Sequence, residues 1–184
     1  MLDAMRGLEI RPVTAANWEN FTRLFEARGG PHFCWCAVHR VSGGDHLGNE
    51  EKREFMHRLV AQEVPIGVLA YDGEIPVGWC SIAPRETYAR LEGSRVLPRM
   101  TSADTPTWTV LCFFVAGPYR GHGATHALLR GAISYAGASG AKVVEGYPFD
   151  SGGISSTHRG HSSVFRNAGF RRDGRRWFLE LDSA

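Results

Sequence analysis

The sequence predicts an α/β fold with one mixed central sheet and helices on both of its faces. The run TWTVLCFFV (Thr107–Val115) is too apolar for a half-exposed strand and therefore predicts a central strand. A helical repeat of apolar residues follows it, and AKVVEGY then predicts another strand. A strand–helix–strand unit of this size favours two parallel strands joined by a right-handed crossover. Asp72-Gly73 lies between two apolar runs and predicts an antiparallel hairpin, so the sheet is mixed.

The other elements follow from their spacing along the chain. LEIRPV predicts a first strand from Leu8 to Arg11, and the segment Thr14–Ala27 then has helical spacing with Thr14 as its N-cap. NEEKREFMHRLVAQE predicts a second helix with Asn49 as its cap, and RETYARLEG predicts a short helix. HSSVFRNAGF predicts a further short helix that stops at Gly169, and FRRDGRRWFLEL predicts a closing hairpin. The apolar stripe of the first helix consists of Trp18, Phe21, Leu24 and Phe25.

Length, charge and cysteine content limit the classes of function. The 184 residues predict a single domain over residues 1–184. A net charge of +2 is too small to favour a nucleic-acid partner. No apolar run has the length of a membrane span, and the first residues lack a signal-peptide core, so we expect a cytoplasmic protein with no membrane partner. In that compartment the four cysteines are expected to be reduced thiols.

The segment GPYRGHGATHALL (Gly117–Leu129) connects the central strand to the next helix. Glycines let the backbone approach a ligand, and successive N–H groups at a helix N-terminus attract an anion. A dinucleotide site is disfavoured because His126 replaces the third glycine and Arg120 occupies the tight turn. A P-loop is excluded because no Gly-Lys-Ser/Thr follows. A bound phosphate is therefore favoured, and a turn without a ligand stays the alternative.

This segment resembles the acetyl-CoA pyrophosphate loop of the GNAT superfamily of N-acetyltransferases. The family pattern is Arg/Gln-x-x-Gly-x-Gly/Ala, and Thr125 departs from it at the last position, where its backbone N–H is still present. The order of elements and the NAGF step near the end also match, so the resemblance extends from about Leu8 to Leu181. The matching loop residues are Arg120, Gly121, His122, Gly123, Ala124 and Thr125.

The resemblance implies a particular sheet and a particular reaction. The sheet would have six or seven mostly antiparallel strands and would splay between the fourth and fifth, with acetyl-CoA as cosubstrate in the gap. Phe113, Phe114 and Val115 match the positions whose backbone pairs with the pantetheine arm, and His158 lies near a further position that contacts this arm. A substrate amine would attack the thioester directly while a backbone N–H stabilises the oxyanion.

The proton transfers have several candidates. Glu145, at the end of the strand beside the gap, is the expected base because burial would raise its pKa, and pairing with an arginine is the alternative role. Glu86 is a weaker candidate. Phe165 stands where the family often has a tyrosine acid, so Tyr147 is the expected replacement, with Ser162 and Ser163 as further candidates. The missing tyrosine and Thr125 also suit a second class of function, a catalytically weak acyl-CoA-binding sensor.

The segment PHFCWCAVHR concentrates cysteine and histidine. Because Cys34-x-Cys36 lacks the two-residue spacing of a zinc knuckle, we expect no metal there, although His32 and His39 flank the pair. The alternation of aromatic residues with the cysteines predicts an extended segment that packs on both faces.

The position of this segment gives it a further expected role. In GNAT-like chains it walls the acceptor site, so Phe33, Trp35 and Arg40 are candidate substrate-binding residues, and aromatic packing alone is the alternative. The expected partner is a small-molecule or peptide amine. A homodimer is compatible with the resemblance, because many relatives are dimers.

Overall fold

The computed structural model describes residues 7–41, 46–150 and 158–182. Within them, seven strands form one sheet in the order β1-β2-β3-β4-β5-β7-β6, and every neighbouring pair except β4–β5 is antiparallel. The fold class predicted from the sequence is therefore confirmed. The strands are β1 (Glu9–Pro12), β2 (Val68–Asp72), β3 (Ile75–Pro84), β4 (Thr107–Val115), β5 (Val143–Gly146), β6 (Arg171–Asp173) and β7 (Arg176–Glu180).

Helices cover the sheet. They are α1 (Trp18–Glu26), α2 (Asn49–Ala61), α3 (Ala89–Glu92), α4 (Ala124–Ala138) and α5 (Ser162–Asn167), with single 3₁₀ turns at Ala15–Asn17, Arg85–Thr87 and Gly117–Tyr119. The first helix begins with one of these turns because the side chain of Asn17 accepts the N–H of Thr14 at 2.8 Å and donates to the carbonyl of Pro12 at 2.9 Å. None of the helices in the described part of the chain is long and apolar enough to cross a bilayer.

Two apolar cores lie on opposite faces of the sheet. On one face, the predicted stripe of α1 is buried against Trp79 of β3, with Phe21 and Phe25 fully enclosed. On the other face, Leu128 and Leu129 of α4 pack on β3 and β4 together with Phe165 of α5. Burial on both faces explains why β3 and β4 read as nearly continuous apolar runs.

The sheet opens between β4 and β5. These parallel strands pair from Thr107 with Val143 to Val110 with Gly146, and β4 then continues to Val115 without this neighbour. At the same point the register with β3 shifts, which leaves Leu111 opposite no β3 residue. The bulge bends β4 and increases its twist. The splay predicted between the fourth and fifth strands is thus present, and it leaves one edge of β4 free.

Candidate active site

A cleft of about 890 Å³ lies along the free edge of β4. All five residues from Leu111 to Val115 line it. The opposite walls come from the segment after α1, which includes Phe33 and His39, and from residues just before and within α5, which include His158. Several candidates that are far apart in the sequence therefore meet in one cavity.

The loop at the end of the cleft has the geometry of an anion cradle. Gly121 and Gly123 have φ values of +77° and +87°, a left-handed conformation that favours glycine, and a Cβ built on either would meet no atom within 4 Å. Among the described residues, no side chain caps the N-terminus of α4 and no acidic residue lies in its first turn. The first N–H groups of a helix have no partner within the helix, so these donors fit a phosphate.

The remaining cofactor candidates divide between the cleft and its surroundings. Arg120 and Thr125 line the cleft, and the guanidinium Nε of Arg120 donates to the carbonyl of Val115 at 2.8 Å, which holds the side chain at the loop. The side chain of His122 is exposed, and that of Ala124, the first residue of α4, is buried. Their backbone N–H groups, rather than their side chains, are what the loop can offer a ligand.

Glu145 does not face the cleft. Its side chain is 0% exposed, and it lies within a buried network in which both carboxylate oxygens accept hydrogen bonds. Arg85 donates to Oε1, as do the hydroxyls of Thr109 and Tyr147 at 3.0 Å each, while Nε of Arg176 donates to Oε2 at 2.6 Å. This geometry does not support the role of base expected from the sequence. It matches the alternative, a carboxylate paired with arginine.

Tyr147 belongs to the same network and is likewise absent from the cleft lining. Its hydroxyl accepts from Nη1 of Arg85 at 2.8 Å and donates to Glu145, and burial together with the nearby carboxylate raises the pKa of this phenol. The hydrogen bonds of its hydroxyl to Arg85 and Glu145 do not support the expectation that Tyr147 delivers a proton to a leaving group. The two serine candidates are not free hydroxyls facing solvent. Ser162 is 3% exposed, and the hydroxyl of Ser163 lies 2.9 Å from Nδ1 of His161.

The segment between α1 and α2 differs from the expectation of an extended strand-like run. It forms successive turns, because the N–H groups of Cys34 and Trp35 both donate to the carbonyl of Pro31, at 3.1 and 3.2 Å. Trp35 and Cys36 adopt φ values of +48° and +52°. A left-handed conformation costs a residue other than glycine roughly 1–2 kcal/mol, which the surrounding packing must offset.

The three substrate-binding candidates of this segment have different environments. Phe33 is 63% exposed and lines the cleft, as expected. Trp35 is 2% exposed and stacks on Phe25 with ring centroids 5.3 Å apart, so it is a core residue. Arg40 is also buried, and its Nη atoms donate to Thr87 Oγ1 at 2.9 Å and to the carbonyl of Ile66 at 3.2 Å. Direct contact of Trp35 or Arg40 with an acceptor is not supported.

Cys34 and Cys36 line the cleft beside Cys112 of β4. The indole N–H of Trp79 donates to Sγ of Cys36 at 3.2 Å. Interaction with a neighbouring thiol, Cys36 for Cys34 and Cys112 for Cys36, raises the pKa values of both cysteines, and burial raises them further. Protonated thiols are poor metal ligands. Within the described ranges, no group of three or more histidine, cysteine and acidic residues is arranged for a metal ion.

The sequence did not indicate two hydroxyl-bearing residues that line the cleft, Tyr88 and Ser81. Tyr88 packs against Leu111, the first β4 residue beyond the pairing with β5, and its hydroxyl lies 3.0 Å from Oγ of Ser81. The guanidinium of Arg40 lies 4.3 Å from the centre of the Tyr88 ring, and burial raises the pKa of Tyr88 to about 12. In the sequence, Tyr88 is one residue of a short irregular helix, and nothing there indicates the Ser81 partner.

Comparison with known proteins identifies the family. Residues 17–147, well over half of the chain, match the sequence model of the Acetyltransferase (GNAT) family. The chain belongs to the GNAT acetyltransferase family. The uncapped α4 loop and the splayed β4 edge therefore lie in a domain whose family name denotes acetyl transfer.

Solved acetyltransferase structures share this fold at low sequence identity. A Brucella melitensis GNAT acetyltransferase in complex with acetyl-CoA has 15% identity and a TM-score of 0.53, covering 96% of this chain and 89% of its own. A Staphylococcus aureus N-acetyltransferase has 14% identity and a TM-score of 0.56, with 96% and 99% covered. A ribosomal-protein-alanine N-acetyltransferase from Brucella melitensis has 15% identity and a TM-score of 0.53, with 95% and 100% covered. No curated protein matches the sequence.

Proposed function

We propose that the protein transfers the acetyl group of acetyl-CoA to an amine. The observation that carries this proposal is the continuity between the free edge of β4, which begins at Leu111, and the uncapped N-terminus of α4. A pyrophosphate bound at Arg120–Thr125 directs the pantetheine arm back along this edge. The thioester then lies near Leu111, where the sheet opens. The crystallised Brucella acetyltransferase with acetyl-CoA supports this choice of acyl donor.

The chain's own residues position the reaction. Backbone groups of Phe113, Phe114 and Val115 pair with the arm, and an N–H at the bulge donates to the oxyanion that develops when the amine attacks the carbonyl carbon. Among the described residues that line the cleft, none is a carboxylate, so the acceptor ammonium gives its proton to water in the cleft before the neutral amine attacks, and the proton that the amine loses on attack leaves by the same water.

Tyr88 supplies the proton to the departing thiolate. Tyr88 lines the cleft, its hydroxyl lies 3.0 Å from Oγ of Ser81, and a phenol is protonated at neutral pH. Phe165, by contrast, is 0% exposed and packs edge-on against Phe170 with centroids 5.0 Å apart. Tyr88 therefore takes the role that the resemblance assigns to a tyrosine at position 165.

The experiment combines binding and turnover. Calorimetry measures acetyl-CoA affinity, and steady-state release of coenzyme A is followed with a library of amines. We expect binding together with release that depends on the amine. Binding without release for any amine would favour the alternative, an acyl-CoA-binding sensor, for which the buried Phe165 is the specific supporting observation. Absence of acetyl-CoA binding would overturn both.

A further inference from the structure

We propose that the acceptor carries an anionic group, a carboxylate close to its amine, together with an apolar body. The acetylation of such an acceptor rests on the proposed function, whereas its binding does not. The inference comes from the charged residues around the end of the cleft near His39. The proposed acetyl transfer assigns these residues no role.

The acceptor side of the cleft combines apolar and basic residues. Phe33, Val38 and Phe149 provide apolar wall, and the imidazoles of His39 and His158 line the same cleft. Among the cleft-lining residues of the described chain there is no aspartate or glutamate. An acceptor that presents only a cationic amine would meet no complementary charge here.

Three arginines belong to the chain segments that meet near His39. Arg40 is its neighbour in the chain, and the backbone N–H of Arg90 donates to the His39 carbonyl at 3.2 Å. Arg159 follows the cleft residue His158 and stacks on Phe149 with its guanidinium 4.8 Å from the ring centre. No ion pair between described residues includes any of the three arginines.

Burial makes the missing counter-charge significant at Arg40. Arg40, Arg85 and Arg176 are the buried arginines of the described chain, and the last two both pair with Glu145. Arg40 has only the hydroxyl of Thr87 and the carbonyl of Ile66 as acceptors, and its Nε has no partner. A buried charge without a counter-ion is costly, so a nearby anion is favoured.

The electrostatic potential around His39 also favours an anion at this end of the cleft. Burial, followed by the charges of Arg159 and Arg90, lowers the pKa of His39 to about 4. The basic groups that contribute to this shift give the surroundings of His39 a positive potential, and a positive potential attracts a carboxylate. Because the cleft must also hold the acyl arm, the acceptor is small, as in an amino acid with an apolar side chain.

The test measures binding first, without any need for turnover. Protein saturated with coenzyme A is titrated by calorimetry with 3-phenylpropanoate and with its neutral isostere 3-phenylpropanamide, and likewise with 4-methylpentanoate and its amide. We expect each carboxylate to bind at least about tenfold more tightly than its amide, because a charge-assisted hydrogen bond strengthens binding by at least this factor. Added salt should reduce the difference.

Variants assign the preference to the basic cluster. Arg159→Gln, at a half-exposed side chain that can be replaced without opening a core, should reduce the carboxylate preference several-fold and leave amide binding unchanged. Arg130→Gln, on the exposed face of α4, is the matched control and should change neither. If no carboxylate binds more tightly than its amide, or if both variants behave alike, the proposal is overturned.

Turnover then separates this proposal from the proposed function. Coenzyme A release is compared for phenylalanine, phenylalaninamide and 2-phenylethylamine. Faster release with the acid supports both proposals. Equal or faster release with the neutral amines overturns the present one alone. Selective binding of carboxylates without release from any amine overturns acetyl transfer and leaves the anion site intact.

Discussion

Replacing Glu145 by glutamine should destabilise the fold rather than remove a catalytic base. The amide has nearly the same shape as the carboxylate but carries no charge. Arg176, 6% exposed, would lose its counter-charge, and the fully buried Arg85 would keep only Glu92, which lies 3.2 Å from its Nε and is 42% exposed. An accessible base would behave in the opposite way, because its loss lowers turnover and leaves stability unchanged.

The magnitude follows from burial. Removing one partner of a buried ion pair costs about 3–5 kcal/mol, because the other charge stays in a medium that solvates it poorly. In a domain of this size 1 kcal/mol shifts the melting temperature by roughly 2–4 °C. We therefore expect the melting temperature to fall by roughly 6–20 °C.

A matched control isolates the contribution of burial. Glu180 lies 2.6 Å from Arg171, the same separation as between Glu145 and Arg176, but its side chain is 66% exposed. Glu180→Gln should cost no more than about 1 kcal/mol, because water screens the exposed pair. Both variants are unfolded in urea, and their midpoints are compared with that of the wild type. Equal losses of unfolding free energy in the two variants would refute the reasoning.

Three further predictions concern the cleft. Gly123→Asp should weaken acetyl-CoA binding at least about fivefold, since like charges 4 Å apart cost roughly 1–4 kcal/mol; Gly140→Asp, with the same left-handed backbone at φ +88° but beyond the far end of α4, should leave the affinity unchanged in calorimetry. Tyr88→Phe should lower kcat by about 10² or more with little change in acetyl-CoA affinity, whereas Tyr135→Phe on α4 should not, and equal rates for both variants would exclude Tyr88 as the acid. Protein purified without added metal should contain no stoichiometric zinc; elemental analysis that finds one zinc per chain, lost on Cys34→Ser, would contradict this.

The parts of the fold that were predictable are those set by local pattern. The strand Thr107–Val115 has the bounds that its apolar run predicted, and the glycine loop stands at the start of α4 as its spacing indicated. Hydrophobic periodicity and turn residues act over a few positions, so the sequence displays them directly.

The environment of Glu145 was not predictable in the same way. Its partners Arg85 and Arg176 lie 60 and 31 residues away in the chain, and the sheet alone brings them together. The turns around Trp35 depend similarly on tertiary packing, because left-handed residues other than glycine have no sequence signature. The sequence did not indicate Tyr88 as a site residue, because its proposed role depends on its position beside Leu111 and no residue spacing encodes that position.

The Glu145 network also determines how the two parts of the sheet can separate. Strands β5, β7 and β6 join the other four strands through the four residue pairs from Thr107–Val143 to Val110–Gly146. Arg85 follows β3, on one side of this short junction, and pairs with Glu145 of β5 on the other side. Arg176 begins β7, on the same side as Glu145. Local opening there, of the kind that amide hydrogen exchange detects, must break the buried Arg85–Glu145 ion pair and the hydrogen bond from Thr109 to Glu145 as well as the backbone bonds. The width of the gap is thus fixed by side chains before any acyl donor arrives.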